Sequence, residues 1–441
     1  MTIHKLLRLA LVPLSLALLL SCGGGSSTPD GMSVAGGAGI GTTGAPGSGA
    51  SSDASPAGDG STSASSGSGD DGSTSTASNG NGDSGVGSGG TGVSTADAGT
   101  SVGSVDGIGS IFVGDLRYDT DQAQLDLRDA TQLQIGMTVV VTGPVNASFT
   151  SGTARQVSSM AQMRGVVDSV DVAASTFQML GSTVSVDDDT AWADLPGLPA
   201  LSAGMQVQVW ALPIGSGALR ATRIQSQAVV ATPLVTGVVS QLDAASSTFQ
   251  LGSLVVDYRL ATLPAGGLAN GRIVRVSGAL PPVAGRLDAS QIDGWYALSS
   301  VKGAPVQLEG VIGNFASTAS FSLMGTPIDA SAAQVTGGQA QKLGNGVTVV
   351  ASGTLSDAGV LVASKLKIRH IPGGGALPSF SLIGPITNFN SLADMTVKGQ
   401  RVDASAATIV GTGQPANGVT VSVQGSQVVG GVLLATQLAF Q

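Results

Sequence analysis

One short word recurs five times along the chain: IGMTVVVTG (135–143), AGMQVQVWA (203–211), NGRIVRVSG (270–278), NGVTVVASG (345–353) and NGVTVSVQG (417–425). Each alternates apolar and polar positions. Met137, Val139 and Val141 share one face of the first copy, with Thr138, Val140 and Thr142 on the other. A period of two marks a half-buried strand. Five copies at near-constant spacing make the chain a tandem array of one small unit. In the third copy Arg272 departs from the pattern and is placed at the strand entrance.

The flanks repeat as well. An Asp closes a short apolar or aromatic run 14 to 17 residues before each motif Gly: Asp119, Asp187, Asp257, Asp329 and Asp403. An Ala follows each Gly by 17 or 18 residues, opening ARQV, ATRI, ASQI, ASKL and ATQL. Upstream, Phe177, Phe249 and Phe321 hold equivalent places, with Met395 in the fifth copy. Before them, Gly165, Gly237, Gly310 and Gly384 are 72, 73 and 74 residues apart.

Each unit therefore reads as five short strands: a Gly-initiated strand, a Phe-bearing strand, a strand ending at Asp, the GxxVxV strand and the A-x-x-apolar strand. A loop of about 15 residues is expected between the third and fourth strands. In the last strand, Leu219 and Ala221 are out of phase with Ile224, which a β-bulge would reconcile. The fold class is all-β, with five tandem five-stranded OB-like barrels. Tandem β-sandwich modules are the second choice, because they need nearer seven strands. The boundaries are 101–162, 163–229, 230–302, 303–372 and 373–441.

The words GIGSIFVGDLRYDT, IGMTVVVTG and ATRI resemble the bacterial envelope proteins grouped as domain of unknown function 5666. The resemblance covers about residues 101 to 441. It implies an exported β-barrel module, often in tandem behind a lipoprotein signal, and supplies no activity and no catalytic residues.

The N-terminus is an address. Residues 1–21 combine Lys5 and Arg8 with a short apolar core, too short to span a bilayer. The following LLSC resembles a bacterial lipobox, making Cys22 the lipidated first residue of the mature protein. Gly23 in place of Asp points to the outer membrane, on the same resemblance. Cys22 is the only cysteine, so no intramolecular disulfide can form. Residues 22–100 read as a disordered Gly/Ser/Asp tether. Of residues 23–100, 24 are Gly and none is Leu, aromatic, Lys or Arg, so too little apolar surface exists to offset ordering.

Chemistry is sparse. The two histidines are His4, in the signal, and His370, which ends the run KLKIRH. In that run Lys365, Lys367 and Arg369 read as a solvated strand face, with a small basic patch as the alternative. Asp187-Asp188-Asp189 could suit a hard cation, but a turn explains Asp187 as one of the five recurrent Asp residues, and no metal is assigned. No catalytic residue and no cofactor is assigned. The recurrent Asp is expected to fix the turn leaving the third strand by accepting backbone N–H bonds. Trp210, on the outward phase of its strand, and Trp295 with Tyr296 break the repeat and are the binding candidates. A net charge of −9 and a pI near 4.5 argue against a nucleic-acid partner. The reading is a non-enzymatic, lipid-anchored envelope protein in a structural or interaction role. The alternative is an array that binds an envelope glycan or protein.

Overall fold

The structure, a computed structural model, describes residues 96–228, 232–296, 298, 303–372 and 379–441. The signal peptide, Cys22 and the tether up to residue 95 lie outside the described residues.

Barrel 1 shows the plan. Its strands are Ala96–Ile108, Ile111–Val113, Leu116–Asp119 and Thr138–Val145, with a fifth broken into Ser151–Thr153 and Gln156–Ser159. The first pairs antiparallel with the second, and the second with the third. The third runs parallel to the fifth, the fifth antiparallel to the fourth, and the fourth closes on the first. The ring order 1-2-3-5-4-1 leaves no free edge within the unit.

The same order recurs four times. In barrel 2 the ring joins Met163–Val166 with Ser169–Asp171, Thr176–Met179, Ser182–Ser185, Ala218–Ser226 and Gln206–Gly215. Barrel 3 joins Leu234–Val238 with Ser240–Asp243, Thr248–Leu251, Leu254–Asp257, Arg286–Gly294 and Ile273–Gly278. Barrel 4 uses Pro305–Ser317, Ser320–Leu323, Thr326–Asp329, Leu361–His370 and Thr348–Leu355. Barrel 5 uses Phe380–Ser391, Asp394–Val397, Gln400–Asp403, Val432–Phe440 and Thr420–Val429. Five small OB-like barrels are therefore present, and the sandwich alternative falls. Phe177, Phe249, Phe321 and Met395 are all buried in their barrel interiors.

The repeated word has a geometric cause. Its opening glycines, Gly136, Gly204, Gly271, Gly346 and Gly418, take φ from +83° to +88°, the left-handed region. Each donates its N–H to a carbonyl at the bend of the first strand: Val105, Val167, Val239, Ile312 or Ile386, at 2.8–2.9 Å. Those five residues donate back to the carbonyl just after the Gly, at 2.8–2.9 Å. This double bond closes the seam between first and fourth strands. The Asn of the NG pairs adds a third tie: Asn270, Asn345 and Asn417 accept N–H bonds from Leu242, Phe315 and Phe389.

The phase conflict in the last strand is a bulge. Trp210 faces Arg223 while Ala211 faces Ala221, so Thr222 is the extra residue. Equivalent slips leave Ser290, Ser364 and Thr436 unmatched. The bulge brings backbone so close that a Cβ on Gly353, which ends the fourth copy of the word, would lie 1.9 Å from the Val362 carbonyl oxygen.

The long connection is more structured than the expected loop. Gln124–Leu127, Ala191–Trp192, Gln334–Thr336 and Thr408–Val410 each add a short strand parallel to the fifth strand of their own barrel. Two 3-10 turns, Leu198–Ala200 and Ala340–Lys342, interrupt the remainder.

The barrels pair with one another. Thr100–Val102 runs parallel to Val306–Leu308 of barrel 4, and because the first strand begins at Ala96, residues 96–100 of the expected tether belong to barrel 1. Gly107 and Ile108 pair with Ser381 and Leu382 of barrel 5. A side chain on Gly107 would stand 2.4 Å from the Ser381 carbonyl oxygen, so only Gly permits that approach. Met163 and Arg164 pair with Val235 and Leu234, linking barrels 2 and 3. As a result the outward faces of several fourth strands are covered. Thr138, Gln208, Arg275 and Ser352 are buried, whereas Thr420 and Gln424 of barrel 5 stay exposed.

Candidate functional site

The recurrent Asp makes one structure five times. Asp119 Oδ1 accepts the Asp121 N–H at 3.0 Å, Asp187 that of Asp189 at 3.0 Å, and Asp257 that of Arg259 at 3.0 Å. Asp329 and Asp403 accept the N–H of Ser331 and Ser405 at 3.0 and 2.9 Å, and their hydroxyls as well. Those hydroxyl bonds, then the N–H bonds, hold both carboxyls below their ordinary range. Each is a short side-chain turn that stops the third strand.

Two of the five do more. Arg220, from the fifth strand of barrel 2, donates to Asp187 at 2.6 and 2.8 Å and to Asp189 at 2.7 Å. Asp257 accepts from Arg259 and Arg286 and is held well below the carboxylate range, chiefly by Arg259. In the Asp187–Asp189 run, therefore, two carboxylates are engaged by a guanidinium. Among the described residues no group of three or more His, Cys, Asp or Glu is arranged to hold a metal.

Arg220 belongs to a larger buried centre where barrels 1, 2 and 4 meet. Arg369 of barrel 4 pairs bidentately with Asp106 of barrel 1, at 2.5 and 2.7 Å, and lies 3.7 Å from Glu309. Glu309 accepts the N–H and hydroxyl of Ser104 at 2.7 and 2.9 Å. His370 Nε2 lies 3.8 Å from Asp187, and its buried Nδ1 has no hydrogen-bond partner among the described residues. Asp106, Asp189, Lys367 and Arg369 line a cavity of about 420 Å³. Burial pushes the Asp106 carboxyl up to about 6 against the pull of Arg369, and burial also raises Asp189. The KLKIRH row is thus not a solvated face. Arg369 is 8% exposed, Lys367 reaches Asp115 of barrel 1, and Lys365 donates to the Ser148 carbonyl.

A second polar junction joins barrels 1, 2 and 3. Asp129, in the long connection of barrel 1, is 6% exposed at its side chain. It accepts from Arg164 at 3.0 Å, from Arg275 at 2.7 Å and from the Ala161 N–H at 2.9 Å. Its own carbonyl accepts from Gln208 of barrel 2 at 2.9 Å. The sequence reading missed Asp129, Arg164 and Arg275. Their partners stand 35 and 146 residues apart, and no local pattern marks them.

Trp210 needs correction as a binding candidate. It is fully buried, packed with Met137 and Ala130 of barrel 1, Ala161, and Leu234 of barrel 3. The side chain does lie on the outward phase of its strand, but neighbouring barrels cover it, so no ring face is left for a ligand. Trp192 is buried too. Trp295 and Tyr296 differ. Both are half-buried, with ring centroids 4.5 Å apart, and they line a groove of about 490 Å³ between barrels 1 and 3. Tyr296 Oη accepts the Met160 N–H at 3.2 Å, tying the aromatic pair to barrel 1, and burial raises its hydroxyl to about 12.

Among the described residues no helix is long and apolar enough to cross a membrane, which says nothing about strands. Three segments, residues 164–225, 236–293 and 383–439, match the family model "Domain of unknown function (DUF5666)". They fall on barrels 2, 3 and 5, so three repeats of this chain are similar to that domain. No curated protein matches the sequence. Among solved structures, drosophila Unr CSD456 is similar at 14% identity and a TM-score of 0.13, over 48% of this chain and 98% of that one. The strand order stands without it.

Two expectations follow. Asp119→Ala should cost about 0.5–2 kcal/mol in chemical denaturation, the range for a lost cap, and Asp119→Asn should recover most of it. Asp187→Asn should not recover, because Arg220 loses its carboxylate, and calcium should leave every midpoint unchanged. A calcium-dependent rise would contradict the turn assignment. The second concerns pH. Asp106 binds its proton more tightly folded than unfolded, so its stabilisation is full below the unfolded carboxylate range and is lost as pH rises through about 6. Asp329 and Asp403 act in the opposite sense, so the comparison must be with Asp106→Asn. Between about pH 4 and 7, the melting temperature of the variant should decline less with rising pH than that of the native chain. Parallel pH profiles would contradict this.

Proposed function

We propose that the protein is a non-enzymatic lipoprotein of the cell envelope, anchored through a lipid on Cys22 to the outer membrane. Its five barrels serve as one docked scaffold with a structural or interaction role. The observation that carries this reading is how the polar side chains are used. Asp106, Asp129, Arg220, Arg275 and Arg369 are buried in ion pairs, four of the five between barrels, and Asp106 and Arg369, which line the cavity of about 420 Å³, are engaged with each other and not arranged as a nucleophile–base pair. The acidic, uncharged-rich chain suits neither nucleic acid nor an anionic surface.

The Gly/Ser segment before residue 96 supports the anchoring half. A binding array for envelope glycan or protein is the second reading, and the Trp295 groove favours it.

Cys22→Ser should abolish labelling by a palmitate analogue and move the protein from the membrane fraction to the soluble fraction. Unchanged membrane association would overturn the anchor.

A further inference from the structure

We propose that the groove between barrels 1 and 3 binds a neutral oligosaccharide, with Trp295 as its stacking platform. This rests on the interaction role above and names its ligand class. Of the three tryptophans, Trp192 and Trp210 are buried in the packing of the barrels, and Trp295 alone keeps part of its surface. It stands in the connector between barrels 3 and 4, outside the repeat, so the feature occurs once.

The chemistry around Trp295 fits a sugar ring. A pyranose presents an apolar C–H face and a rim of hydroxyls that both donate and accept. The groove offers the indole for the face. Asp126 and Asp293 can accept, Arg128 and Arg272 can donate, and Gln156 can do either. Two carboxylates against two guanidiniums leave no net charge, which favours a neutral glycan over an anionic one. Arg128 lies 3.6 Å from Asp126 and 3.8 Å from Asp293, too far for tight pairing, so all three keep hydrogen-bonding capacity. Arg272 is fixed by the carbonyl of Ala265, at 2.9 Å, and that of Gly267. Tyr296, held at its hydroxyl by barrel 1, fixes the neighbouring Trp295. The volume, about 490 Å³, lies within the range of small-ligand sites. Because barrel 1 supplies Asp126, Arg128 and Gln156 and barrel 3 supplies Arg272 and Asp293, the site exists only while the two are docked.

The test uses the full chain carrying Cys22→Ser, titrated with maltotetraose, with chitotetraose and with an oligogalacturonate. Tryptophan emission and calorimetry are the readouts. The proposal expects saturable binding of at least one neutral tetrasaccharide and weaker binding of the anionic one. Trp295→Ala should weaken binding about tenfold or more, Trp295→Phe less, and Asp293→Asn should weaken it without changing the melting temperature. Three results would overturn it: no saturable response at millimolar neutral sugar, equal affinity in Trp295→Ala, or preference for the anionic sugar. If no sugar binds while Cys22→Ser still leaves the membrane, the groove assignment fails and the anchored-scaffold reading stands.

Discussion

A left-handed glycine at the entrance of every fourth strand is the constraint on which the architecture depends. It lets the chain turn while its N–H reaches back to the bend of the first strand, and that residue answers with its own N–H. The exchange closes a ring of only five strands. It extends the antiparallel ladder of first and fourth strands to the bend, so that the ring leaves no unpaired edge there, the usual route to aggregation in small β-units. A residue with a Cβ would carry about 1–2 kcal/mol of backbone strain there. The five-fold recurrence of one word is therefore a geometric requirement met once per barrel.

Closure alone leaves each barrel small, with few aromatics in its core. The extra stability comes from covering the outward faces. Trp210, Gln208 and Thr138 would be wet on an isolated barrel and are buried in the assembled unit. Charged side chains complete these contacts, as Asp129 shows by receiving two arginines from two other barrels. Buried ion pairs of this kind add little net stability against apolar replacements. Losing one partner is costly, however, so they fix which barrel sits against which. The Asp106–Arg369–Glu309 group does the same between barrels 1 and 4, where burial raises the Asp106 carboxyl against the pull of Arg369.

Much of this was legible in the sequence because it is local. The period-two words, the in-phase Phe residues, the bulge implied by Leu219, Ala221 and Ile224, and the Asp before each long connection all lie within one unit. The NG pairs carry the same local information, since Asn270, Asn345 and Asn417 tie the first strand. What could not be read is what happens between units. KLKIRH looks like a solvated row until barrel 1 is placed against it, since Asp106 lies 263 residues from Arg369. Trp210 looks like an exposed ring for the same reason. Trp295 is conspicuous in the sequence because it breaks the repeat, yet its groove depends on residues contributed by another barrel.

Buried charges join the barrels into one body. Differential scanning calorimetry of the full chain and of its Asp129→Ala variant is the test. Barrels 1, 2 and 3 should melt in one transition of the native chain. Asp129→Ala, which leaves Arg164 and Arg275 without their carboxylate, should lower or split that transition. Independent melting of the barrels in the native chain, with Asp129→Ala altering barrel 1 alone, would contradict it.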